Sequence, residues 1–104
     1  MPNTLLKSLA SARITPLGKY ADGSETCERY EVAFENDNIP YDLKVAADLA
    51  YTDNKDIIVH LKNFGDRMTF VLTKTDDRNL PLLSVRIPVA DTDIQPIQQL
   101  LLSR

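Results

Sequence analysis

The sequence predicts an α+β fold: an antiparallel β-meander of about five strands, with an N-terminal hairpin and a C-terminal helix. Three observations carry this expectation. Apolar and polar residues alternate with a period of two along several short runs. The turns between those runs are too short for parallel crossovers, which need roughly a dozen residues or more. Beyond Val89 the apolar spacing becomes helical.

Residues 13–34 read as the hairpin. Ile14 to Leu17 is a short first arm, and Pro16 confines it to an edge or an end. Ala21-Asp22-Gly23-Ser24 is the turn, because glycine accepts the positive φ that such turns require. From Thr26 to Glu35 the residues alternate, with Tyr30, Val32 and Phe34 on one face and Arg29, Glu31 and Glu35 on the other.

Asn36-Asp37-Asn38-Ile39-Pro40 breaks the pattern. Tyr41 to Tyr51 then alternates again and is expected to be a strand. A helix competes there, since Leu43, Ala46, Ala47 and Ala50 also match helical spacing and alanine is the best helix former. Three further strands are expected. Lys55–Phe64 carries Ile57, Val59 and Leu61 on one face, Arg67–Thr75 carries Met68, Phe70 and Leu72, and Leu80–Val89 carries Leu83, Val85, Ile87 and Val89.

A helix is expected over 92–102. Thr92-Asp93-Ile94-Gln95 fits a capping box, Asp91 and Asp93 suit the helix N-terminus, and Pro96 is expected in the first turn. Ile94, Ile97, Leu100 and Leu101 form its apolar stripe. Thr4 to Ala12 fits either a short helix behind Thr4 or an irregular arm. The organisation expected is one domain, 1–104, made of an arm (1–12), the sheet (13–89) and the helix (92–102).

A sheet must cover its apolar face. One short helix hides only part of it, and Ile58, Val71 and Leu82 add apolar residues to the second face. Self-association resolves this tension; the alternative is closure of the N-terminal segment over the sheet.

Composition narrows the function classes. The 104 residues are 43% hydrophobic and 26% charged, which is ordinary globular composition. No apolar run approaches the ~20 residues of a membrane span, and residues 1–12 do not resemble a secretory signal. A net charge of −3 with interspersed signs argues against a dominant duplex-binding role. Cys27 is the single cysteine, which fits a reducing compartment.

Chemistry-bearing motifs are sparse. His60 is the single histidine, with no second ligand or nucleophile near it in sequence, and reads as structural or solvent-facing. Glu25 and Glu28 near Cys27 disfavour a thiolate. Asp76-Asp77 and Asp91-x-Asp93 are explained by turn formation and helix capping rather than by metal binding. The three glycines form no phosphate-cradling pattern. No catalytic residue, metal, cofactor or small-molecule substrate is expected, and the chain does not read as an enzyme.

One constellation goes further. In a meander, Lys44, His60, Lys62, Thr69, Thr73, Ser84 and Arg86 project from one side of the sheet. These are donors suited to phosphate and to single-stranded bases. Asp42 and Asp48 would share that side, so an ordinary solvated face is the competing reading.

Ser84-Val85-Arg86-Ile87-Pro88-Val89-Ala90-Asp91-Thr92-Asp93, running into Ile97-Gln98-Gln99-Leu100-Leu101, resembles the last strand and first helix of single-stranded RNA bacteriophage coat proteins. The order of elements from about Arg13 to Leu102 is similar to that plan as well. The resemblance implies a hairpin, an antiparallel sheet and following helices. It implies subunits that join sheets edge to edge as homodimers, helices laid over the partner's sheet, and assembly into an icosahedral shell. The other sheet face would line the shell and bind RNA. By position in the strands, the implied RNA contacts are Lys44, Lys62, Thr69, Thr73 and Arg86. The location implied is the virion or the cytoplasm of a bacterial host. The alternative is a small acidic phage- or plasmid-encoded binding module, an inhibitor or immunity-type protein, steered by its charge toward a basic partner.

Overall fold

A computed structural model describes residues 4–103; residues 1–3 of the expected arm and residue 104 lie outside the described residues. Helix α1 (Thr4–Ser11) leads into strands β1 (Arg13–Asp22) and β2 (Glu25–Ala33). A 3-10 turn and helix α2 (Tyr41–Ala46) follow. Strands β3 (Ile57–Asn63), β4 (Met68–Thr75) and β5 (Pro81–Pro88) precede helix α3 (Asp91–Leu102). Among the described residues the strands form one antiparallel sheet in sequence order, β1-β2-β3-β4-β5. The hairpin therefore supplies two of the five strands.

Register explains the core. Ile14, Val32, Val59, Leu72 and Val85 stand opposite one another in one row across all five strands. Pro16, Tyr30, Leu61, Phe70 and Ile87 form the next row. Because side chains alternate along a strand, both rows face the same side. Leu9 of α1, Leu43 of α2, Phe34, Ala47 and Leu49 of the connecting segments, and Ile97 of α3 are buried with this face in one cluster. Leu9, Leu61, Leu72 and Ile97 are 0% exposed.

Two expectations are corrected here, and one alternative left open by the sequence is decided. Tyr41–Tyr51 is not a strand. It is α2 followed by a turn in which Asp48 takes a φ of +58°. Helical spacing decides its burial: Leu43 and Ala47 face inward, whereas Tyr41, Val45 and Tyr51 stay exposed although strand alternation groups all five. The alanine content of this segment favours the helix.

The N-terminal segment is helical and closes over the sheet, with its Leu9 in the core and α1 against α3. The apolar core face is thus covered within one chain, which removes that face as a reason for self-association.

The C-terminal helix begins one residue early. Ala90 stands in the capping position without a side-chain cap, so the Thr92 capping box does not form. Pro96 consequently falls in the second turn rather than the first, where its missing N–H removes one intrahelical bond.

Candidate nucleic-acid interface

The sheet face opposite the core carries the polar residues. Two rows define it. Glu31, His60, Val71 and Arg86 stand opposite one another across β2–β5, and Arg29, Lys62, Thr69 and Pro88 form the second row. Thr73 pairs with Ser84 on the same side, and their hydroxyls are 3.0 Å apart.

The hairpin tip bends over this face. β2 pairs with β3 only from Glu28 to Val32, so residues 22–27 extend past the end of that ladder. A register shift between Pro16 and Gly18, with Gly18 at a φ of +86°, adds the local bend in β1. Alternation places Tyr20, Asp22, Glu25 and Cys27 on one side of the hairpin, and their contacts show that this side meets the sheet. The Lys62 ammonium donates to Asp22 Oδ2 at 3.3 Å. The Arg86 guanidinium donates to Asp22 Oδ2 at 3.1 Å and to Oδ1 at 3.5 Å. The Arg67 guanidinium pairs with Glu25. The Tyr20 ring lies 4.5 Å from the Arg29 guanidinium carbon and 5.2 Å from Lys62 Nζ, within cation–π range. Cys27 is 2% exposed beneath the tip, which leaves it a buried thiol.

Electrostatics follow from these contacts. The hydrogen bond from Arg86, assisted by Lys62, holds the Asp22 carboxyl below the usual carboxylate range, against a smaller opposing effect of desolvation. Tyr30, partly buried and donating to Glu28 at 2.7 Å, has its phenol pushed up to about 12, mainly by desolvation.

His60 is partly buried, and its pKa lies below 6.5 because desolvation disfavours the imidazolium. Arg29 and Lys62 push in the same direction and Glu31 opposes them. Below pH 6.5 the unfolded chain therefore takes up a proton that the folded chain resists. The contribution of neutral His60 to stability is fully present above pH 6.5 and is lost as the pH falls toward the depressed folded value. His60→Gln is expected to flatten this part of the urea-midpoint profile between pH 7 and pH 5. An unchanged slope would assign the dependence to other groups.

Of the five residues implied as RNA contacts, four share this face: Lys62, Thr69, Thr73 and Arg86. Lys44 does not, which corrects its placement on a strand. It lies on α2, where it is 9% exposed, and its ammonium donates to Thr52 O at 2.8 Å and Asn54 Oδ1 at 2.6 Å. Those bonds tie α2 to the loop that leads into β3. Asp42 and Asp48 leave the sheet face with it, since both belong to the same helix and turn.

Sequence reasoning missed Tyr20 and Asp22 as parts of this face. Alternation puts Arg29 on the side opposite Tyr30, but only register puts it beside Lys62. The sequence signal for Asp22 was its turn position, and a turn residue gives no indication of which cations it will reach 40 and 64 residues later. Among the described residues no group of three or more His, Cys, Asp or Glu side chains could hold a metal ion, and no helix is long and apolar enough to cross a membrane.

Comparison with protein-family models, with curated proteins and with solved structures found no match.

Proposed function

We propose that this chain is a structural, self-assembling subunit of the RNA-phage-coat type, which joins other copies through β5 and encloses single-stranded RNA against the polar sheet face. On this reading it is not an enzyme, and it acts in the virion or in the cytoplasm of a bacterial host.

The observation that carries the reading is the contrast between the two sheet edges. β1 is a poor template for pairing, because it contains Pro16, a bulge and Gly18, and Lys19 follows. β5 confines its two prolines, Pro81 and Pro88, to its ends and its one register shift to Leu82 beside Pro81, which leaves Leu83 to Ile87 regularly paired. Leu80, Leu82 and Leu83 are 49%, 63% and 49% exposed on or beside it. The Val89 amide donates to Met68 O at 3.0 Å, so antiparallel alternation turns the backbone groups of Ser84 and Arg86 away from β4. An exposed, apolar edge with free backbone groups is a template for a strand from another chain. Pro88 sits at the end of this edge, where its missing N–H interrupts nothing.

The RNA part of the reading is supported by Arg86, whose side chain is 60% exposed, and by the Thr69, Thr73 and Ser84 hydroxyls around it. The test is the mass of the purified native particle by light scattering, with its ultraviolet spectrum read for nucleic acid. Large regular particles that retain RNA are expected. A monomer or dimer across a range of salt concentrations would overturn the reading, and a stoichiometric complex with a basic partner would replace it with the acidic binding module.

A further inference from the structure

We propose that Lys62 and Arg86 form a phosphate site whose ligand position is held, in the free chain, by the Asp22 carboxylate, so that the hairpin tip is a strap that single-stranded RNA displaces. This inference rests on the RNA reading and adds its regulation.

Asp22 meets the chemical requirements of a phosphate stand-in. Two cations from different strands, β3 and β5, converge on one of its oxygens, Oδ2, at 3.3 Å and 3.1 Å, and Arg86 also reaches Oδ1. A phosphodiester offers the same pair of anionic oxygens to the same donors. The Lys62 side chain is 10% exposed and that of Asp22 is 21% exposed, whereas Arg86 is 60% exposed, so in the closed state the lysine side of the site is screened and the arginine side meets solvent.

The strap is built to move. Beyond Glu28 the hairpin has no backbone ladder to β3. Among the described residues, side-chain contacts hold the tip to the sheet: Asp22 on Lys62 and Arg86, Glu25 on Arg67, and Tyr20 on Arg29 and Lys62. The bulge at Pro16/Gly18 provides the point of flexure. Arg29 Nε is buried and has no hydrogen-bond partner among the described residues, so part of this guanidinium is unsatisfied in the closed state. Lifting the tip uncovers Arg29 and Lys62 and releases the already exposed Arg86 from Asp22, on a face that keeps the Glu31 carboxylate, and it frees the Tyr20 ring for base stacking.

The test compares the full-length wild type with Asp22→Asn, using a fluorescein-labelled 20-nucleotide oligouridine RNA and anisotropy at several salt concentrations. Asp22→Asn is expected to bind about tenfold more tightly at low salt, with a steeper dependence of log affinity on log salt, by about 0.7 for each added phosphate contact. Arg86→Gln in the Asp22→Asn background is expected to return both quantities toward wild type. The reaction rate of Cys27 with a thiol reagent reports the strap without RNA. It is expected to rise at least severalfold in Asp22→Asn and, in the wild type, on saturation with the RNA.

Equal, measurable RNA affinity of wild type and Asp22→Asn would overturn the strap and leave the RNA reading standing. An unchanged Cys27 rate in Asp22→Asn would also overturn the strap. No binding by either protein would overturn the RNA reading itself.

Discussion

Leu82→Lys is expected to leave the chain folded and to reduce the native particle to monomers. Leu82 is 63% exposed, so its replacement removes little buried surface, and the change in monomer stability should stay within about 0.5 kcal/mol. Its effect on pairing is much larger. If two β5 strands meet antiparallel about Ser84, Leu82 of one copy stands opposite Arg86 of the second copy. A lysine there sets like charges face to face across the new ladder, where they disfavour pairing. Two such contacts arise in each joint, because a two-fold interface repeats every contact. Light scattering should show the loss of mass, and thermal unfolding of the variant should report an intact fold. Particles of wild-type mass from Leu82→Lys would show that β5 is not the joint.

Phe70→Ala should have the largest effect on stability, a loss of about 3–5 kcal/mol. Phe70 is 1% exposed and lies in the sheet row between Leu61 and Ile87, facing the helices. Truncating it removes apolar contacts and leaves a cavity that neighbours on a paired strand can fill only in part. Single domains have total stabilities of about 5–15 kcal/mol, so the variant should be partly unfolded near physiological temperature. Urea unfolding in the Leu82→Lys background is the appropriate measurement, because assembly raises apparent stability by mass action. A loss below about 1 kcal/mol would mean that the helices collapse onto the vacated space.

Most strands were legible because their signal is local. Ile57-Val59-Leu61 and Met68-Phe70-Leu72 recur at every second position among mostly polar residues, and the faces assigned from that alternation are the faces observed. The Asp22-Gly23 turn was legible for the same reason, since Gly23 takes a φ of +65°. The segment after Pro40 was ambiguous because its small residues satisfy both periods. It became a helix because the core needed Leu43 and Ala47 on one side and could leave Tyr41 and Tyr51 in solvent.

Four of the implied contact residues, Lys62, Thr69, Thr73 and Arg86, were placed on one face by strand parity alone. Lys44 departs from that face because strand parity does not apply to it: it lies on helix α2. No local pattern reports that Lys62 and Arg86 share Asp22, because that contact depends on the bulge at Pro16/Gly18 and on how far the hairpin outruns β3.

The sequence by itself determined the α+β class, the antiparallel sense of strands joined by short turns and the two faces of those strands, whereas the direct pairing of β2 with β3 emerged only with α2 folded as a helix. The former depend on residue period and turn chemistry, which are properties of adjacent residues. The tertiary structure decided how the core face is covered, which edge stays open and where the hairpin tip lies. Those outcomes depend on long-range packing of α1, α3 and the hairpin against a sheet whose twist and register exist only once the chain has folded.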